Sequence, residues 1–189
     1  MLGFIVEGDT EKMILESPDF KNFLNTLHIE YIPDVVNVKG NGNLLPHRIT
    51  EHTQILLDKG ATQIIILTDL DDDKCITETK NRIKPLANQI IIISGKQIEA
   101  WFLAHTDAIR QFLRTGVYTC ENPETYSDPF EEISQLRLQY CNRGIQDKLP
   151  LARLMVNKNS FSVLQAARHP NCNSAKYFIE KIKGIAAMI

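Results

Sequence analysis

Three apolar blocks punctuate the first hundred residues: Leu2–Val6 (LGFIV), Gln63–Thr68 (QIIILT) and Gln89–Ser94 (QIIIIS). Each is short, rich in β-branched residues and unbroken by charge, the pattern of strands buried on both faces of a parallel sheet. Between them the periodicity changes to the helical spacing. A helix is expected after Gly8, with its N-cap at Asp9 or Thr10 and Glu11 in its first turn. Pro18 interrupts it, and Phe20, Phe23, Leu24 and Leu27 continue an apolar stripe. Residues 31–38 read as a further strand, placed at a sheet edge by Pro33. Gly40–Asn43 reads as a loop. Ile49, Ile55 and Leu56 mark a helix over about 44–59, ended by Gly60, and another helix is expected over about 74–86. The resulting βαβαβαβ order predicts a parallel α/β domain in three layers.

Beyond Gly95 the pattern changes. Residues 98–104 (IEAWFLA) predict a strongly apolar helix, in which Trp101 is read as a packing residue. Residues 116–128 are rich in turn formers. Helices are expected over about 129–141, 147–157, 160–168 and 174–183. The division that follows is an α/β domain over 1–105 and a helical C-terminal extension over 106–189, packed as one globular unit of 189 residues.

Composition excludes several classes. The chain is 43% apolar, and no apolar run approaches the roughly 20 residues of a membrane span. No basic leader precedes the first strand, so a signal peptide is not expected. Cys75, Cys120, Cys141 and Cys172 form no C-x-x-C pair, which favours reduced thiols and a cytoplasmic location. The five histidines have no metal-ligand spacing, Gly40–Asn43 lacks the Lys and Ser/Thr of a P-loop, and no Gly-x-Ser-x-Gly elbow occurs.

The net charge of −2 hides an asymmetry. Residues 1–133 hold 12 Lys/Arg against 21 Asp/Glu, whereas residues 134–189 hold 9 Lys/Arg against Asp147 and Glu180 alone. An anionic substrate gripped by the tail and processed at the acidic front would use this asymmetry. Simple attraction between the two halves, or ordinary solvated faces on the tail helices, explains it equally well.

The acids with the most informative placement end strands. Glu7 closes the first apolar block, and Asp69 and Asp71 close the second, which is the third strand in chain order. The C-terminal edge of an open α/β sheet is where such folds hold ligands. Carboxylates gathered there need a cation, and hard divalent ions such as Mg²⁺ or Mn²⁺ prefer their oxygens. Glu7 can meet the Asp pair only if the first and third strands are neighbours, which predicts strand order 2-1-3-4. Without a cation, crowding should raise at least one carboxylate pKa. Asp72 and Asp73 read either as spare ligands or as N-terminal caps of the following helix.

These residues resemble a known family. A Glu-Gly ending the first strand and an Asp-x-Asp ending the third look like the toprim domain of topoisomerases, bacterial primases, ribosomal RNA maturases and overcoming-lysogenization-defect nucleases. The stretch Glu7-Gly-Asp-Thr-Glu11 is similar to the Glu-Gly-x-x-Glu of the last group. With Ile98–Leu103 included, the chain most resembles small stand-alone bacterial toprim-like proteins of unknown function. The resemblance covers residues 1–105 well and the tail loosely. It implies Mg²⁺-dependent phosphodiester hydrolysis of DNA or RNA, in nucleic-acid processing or phage defence beside a partner ATPase. It implies metal ligands at Glu7, Glu11, Asp69, Asp71 and Glu99, with Asp73 in reserve. Glu7 would double as a proton shuttle, and a tail lysine, Lys148 or Lys176, would join the site. Gln97 stands where the nuclease group often has an acid, which weakens a second ion. The rival implication is a non-catalytic module of the same fold that binds nucleic acid or an ATPase.

Overall fold

The computed structural model describes residues 1–188. Four parallel strands, β1 (Leu2–Val6), β2 (Val36–Asn37), β3 (Gln63–Asp69) and β4 (Gln89–Ser94), form one sheet in the order β2-β1-β3-β4. The neighbouring central strands pair Leu2 with Gln63 through Val6 with Leu67, and β3 continues its pairing with β4 as far as Asp69 opposite Ser94. The strand order is the expected one.

Alternation along the strands divides the core in two. Phe4, Val6, Ile65, Leu67 and Ile92 face one side, and Ile5, Ile64, Ile66, Ile91 and Ile93 face the other. On the second side lie α3 (Pro46–Asp58), through Ile49 and Leu56, and α4 (Ile76–Ile83), through Ile83. Gly3 lets α3 approach, since a Cβ there would meet Leu56 Cδ1 at 3.0 Å. On the first side lie α1 (Asp9–Leu15) and α2 (Pro18–Thr26), whose break is made by Ser17, which accepts from Phe20 N at 3.2 Å just before Pro18.

The C-terminal helices complete that same side: α5 (Ala100–Ala104), α6 (Thr106–Leu113), α7 (Pro129–Cys141), α8 (Lys148–Lys158), α9 (Val163–Ala166) and α10 (Asn173–Ala186). Ile109, Ile133, Leu151, Met155, Phe178 and Ile182 join the cluster that holds Phe4 and Ile65. Trp101 is fully buried and stacks on Phe178 at 5.5 Å; Phe178 stacks on Phe20 at 5.5 Å, and Phe20 meets Phe4 edge-on at 5.7 Å. This aromatic series ties α5, α10, α2 and β1 together. Each such side chain contributes about 1.5–3 kcal/mol by burial. The extension and the α/β unit therefore share one core, with no helix long and apolar enough to cross a membrane among the described residues.

Several elements depart from the expected boundaries. The strand expected over 31–38 is only Val36–Asn37 plus an isolated bridge from Leu2 to Tyr31, because Pro33 cannot donate to a ladder; its edge position is as expected. The expected loop Gly40–Asn43 winds into a 3₁₀ turn, Asn41–Leu44. The first helix is preceded by Gly8 with no side-chain cap, so neither Asp9 nor Thr10 is an N-cap. Ile55 is exposed, while Ile49 and Leu56 are buried. The helix α6 was not anticipated, and the helix expected over 160–168 is confined to Val163–Ala166. The apolar helix begins only at Ala100, because the preceding backbone at Ile98 donates to Asp69. Neither Asp72 nor Asp73 caps α4, which starts after Cys75 without a side-chain cap.

Candidate active site

The topology reverses between β1 and β3, where the chain leaves for β2 in one direction and β4 in the other. At the C-terminal ends of these strands lies a cleft lined by Glu7, Thr10, Glu11, Asp69, Glu99 and Lys148. The four acids reach it from four different segments. Glu7 follows β1, Glu11 lies in α1, Asp69 ends β3 and Glu99 precedes α5. Lys148 arrives from the first turn of α8.

The surrounding donors fix these carboxylates. Glu7 N extends the β1–β3 ladder to Leu67 O at 3.2 Å. Its Oε2 accepts from Thr68 Oγ1 at 2.5 Å and from Asp69 N at 3.3 Å. Asp69 Oδ1 accepts from Ser94 Oγ at 2.6 Å and from Ile98 N at 2.8 Å, so the adjacent strand and the loop after it both hold it. Glu99 is fully buried. Its Oε1 accepts from Thr10 Oγ1 at 3.3 Å, and its Oε2 lies 3.1 Å from Lys148 Nζ, an ion pair.

Electrostatics at the cleft follow from burial and crowding. Burial, reinforced by the charges of Glu99 and Glu7, pushes Glu11 from its ordinary 4.5 up to about 8. Burial, with Glu11 and Glu99 nearby, holds Asp69 well above the usual carboxylate range. Burial also raises Glu99, against the opposing pull of Lys148, and raises Glu7 against the Thr68 hydroxyl. Burial would lower Lys148, but Glu99 and Asp69 outweigh it and its pKa is raised. The expected raising of carboxylate pKa values is therefore present, with burial as its largest cause.

Other expected site residues lie outside the cleft. Asp71 adopts a left-handed backbone (φ 46°), and its Oδ2 accepts from Asn41 Nδ2 at 3.3 Å. It lines an adjoining depression with Asp72, Asp73, Arg82 and Gln97. Asp73 is engaged there by Arg82 at 3.0 Å. The Gln97 Oε1 atom is buried and has no hydrogen-bond partner. Of the two lysines, Lys148 enters the cleft, whereas Lys176 lies exposed on α10 and lines neither depression. Thr10, Thr68 and Ser94, the hydroxyls that orient the acids, escaped sequence reasoning. Their only signal is position, immediately beside Glu11, Asp69 and the end of β4.

A hard cation fits the chemistry of the donor set: the carboxylates of Glu7, Asp9, Glu11, Asp69 and Glu99 outnumber the ammoniums of Lys39 and Lys148 that line the cleft with them, and the buried Glu99 Oε2 lacks a hydrogen bond. Among the described residues no three His, Cys, Asp or Glu side chains already surround a single point, so binding would require the carboxylates to turn inward. His105 and His169 serve as structural acceptors, His105 Nδ1 from Ser162 N at 3.1 Å and His169 Nδ1 from Asn171 N at 3.2 Å. No family model, no curated protein and no solved structure matches the chain.

Proposed function

We propose that the protein is a toprim-like, divalent-metal-dependent nuclease that hydrolyses phosphodiester bonds of DNA or RNA. The observation that carries this reading is the meeting of Glu7, Glu11, Asp69 and Glu99 around Lys148 at the switch point of a parallel sheet. A purely structural edge has no need to bury carboxylates at a cost that burial itself imposes. Glu7, Glu11, Asp69 and Glu99 would hold Mg²⁺ or Mn²⁺, which when bound supplies an activated water and neutralises charge developing on the phosphate. Lys148 Nζ faces the same space and would pair with a phosphate oxygen, releasing Glu99 to the cation. Glu7, tethered by Thr68, would accept a proton from the attacking water. Asp71 and Asp73 line the adjoining depression, and a second ion there would rest on them and on Asn41.

A cleavage assay on mixed single- and double-stranded DNA and RNA tests this. Cleavage should require Mg²⁺ or Mn²⁺, stop with a chelator and fall by at least about 100-fold in Asp69→Asn and in Glu99→Gln. Full cleavage by either variant would overturn the assignment. The Asp71→Asn protein separates the two depressions: loss of cleavage would place both in one site.

One observation favours a second reading. Lys148 already neutralises Glu99, as it would in a module that binds nucleic acid or a partner ATPase without cutting. Binding without cleavage under every divalent ion would select that reading.

A further inference from the structure

The C-terminal part carries a second cluster of like charge. Arg137, on α7, lies with its guanidinium 4.1 Å from the Phe112 ring centroid and donates to Phe112 O at 3.2 Å. Phe112 belongs to the buried core, so Arg137 is held in place while its remaining N–H groups stay available. Burial, with the neighbouring positive charges of Arg114 and Arg143, lowers the Arg137 pKa. Among the described residues, none of these three arginines has a carboxylate within ion-pair distance. Neighbouring guanidiniums with no carboxylate in ion-pair contact repel one another, and an anion relieves that repulsion.

The place of the cluster identifies the anion. Arg137 and Arg143 line an open depression of about 690 Å³ with Ser134, Gly144, Gln146 and Asp147. Asp147 directly precedes Lys148, the lysine of the acidic cleft, so a single segment borders both hollows. From Arg143 to Lys148 the chain spans at most about 17 Å, the rise of about five nucleotides along one strand. Planar guanidiniums pair with phosphate oxygens two at a time. The depression is open to solvent and shares a chain segment with the cleft, which suits a continuous polyanion better than an enclosed small metabolite.

We infer that Arg114, Arg137 and Arg143 form a phosphate-binding exit for the backbone of a nucleic-acid strand whose scissile region lies in the acidic cleft. This inference rests on the reading of that cleft as a phosphodiester-processing site. Arg137 is the anchor fixed by Phe112, and the exposed Arg114 and Arg143 are its partners. The contacts read charge and not sequence.

Binding is measured by fluorescence anisotropy with labelled single-stranded and duplex oligonucleotides in a chelator, so that no cleavage is needed. Arg114→Gln and Arg143→Gln alter exposed side chains and leave the core intact. Each should weaken binding about 3- to 10-fold at moderate salt and reduce the slope of log K against log salt by about 0.7–0.9. The double variant should lose both contacts. Unchanged affinity and slope in the double variant would overturn the inference, as would a wild-type protein that binds no oligonucleotide. Binding of inorganic phosphate alone, without oligonucleotide, would also overturn it in favour of a small-anion site. The two readings fail separately: Arg-dependent binding without cleavage sinks only the nuclease, and cleavage with unaltered binding in the Arg variants sinks only the exit.

Discussion

Glu99 and Lys148 show how a single ion pair distributes stability and function. Glu99 is completely buried, while the Lys148 side chain is 43% exposed. Removing the lysine leaves a buried carboxylate beside other acids with no counter-charge in contact. Lys148→Met should therefore destabilise the protein by about 1–3 kcal/mol at neutral pH, less than a fully buried pair because the ammonium is partly solvated. Adding Glu99→Gln should recover most of that loss. Chemical denaturation of the two variants checks this, and failure of the second change to rescue would show that the lysine acts through packing. Glu11 makes the pH prediction. Its carboxyl sits at about 8 in the folded chain against 4.5 ordinarily, so the folded state binds its proton more tightly than the unfolded state does. Asp69 is displaced in the same direction. Their contribution is fully present below about pH 4.5 and is lost as pH rises through about 8. Metal-free protein should thus lose stability between pH 5 and pH 8, and Glu11→Gln should flatten the decline. At pH 8 that variant should melt higher by at least about 2–4 °C, the shift expected of 1 kcal/mol in a chain of this size. Saturating Mg²⁺ should narrow the gap.

At the scale of elements, the ends of β3 and α10 set the geometry. Strand β3 carries its last residue, Asp69, into the ladder opposite Ser94, and this fixes the carboxylate between two strands. Two residues later the left-handed turn at Asp71 sends its carboxylate into the adjoining depression. The N-terminus of α10 is tied down differently. Glu124 accepts from Asn173 N at 3.0 Å and Ser174 N at 2.9 Å, offsetting orphan donors of the first turn. Ser174 Oγ donates to Glu124 and accepts from Gly95 N at 3.2 Å and Trp101 Nε1 at 2.7 Å. This hub joins the loop after β4, which leads to Glu99, to the far end of the chain. A Cβ on Gly95 would stand 2.9 Å from Glu124, so Gly95→Ala should displace Glu124 and cost about 1–3 kcal/mol. Urea unfolding gives the value, and a neutral substitution would show that the Glu124 side chain yields freely.

Across the whole molecule, one core runs through both parts of the chain. Trp101, Phe178, Phe20 and Phe4 are in series, and Phe178 lies more than 70 residues beyond Trp101. Phe178→Ala should cost about 3–5 kcal/mol. The fragment 1–105 should show no cooperative thermal transition, because it exposes the apolar faces that α8 and α10 cover. A sharp melt of that fragment by circular dichroism would show that the front part folds alone. The charge asymmetry also acquires a spatial meaning. Among the described residues, Lys148–Glu99 is the one ion pair that joins the basic tail to the acidic front, and it lies at the cleft.

The sheet was legible in the chain because its rule is local. Unbroken β-branched runs cannot be solvated on either face, and carboxylates at their ends can only cluster if β1 and β3 touch, as they do. Helix existence was legible from apolar spacing except at α6, and boundaries failed where one side chain or imino acid overrode periodicity, as Pro33 does in β2 and Asp69 does before α5. What the sequence could not rank was which acids and which lysine share a space. Spacing put Asp71 beside Asp69; Asp71, left-handed in its backbone, lines the adjoining depression, while its charge still acts on Glu7. Nothing local distinguishes Lys148 from Lys176. That choice belongs to the packing of α8 beside α1 and to the exposure of Lys176 on α10, which depend on how distant apolar faces bury one another in three dimensions.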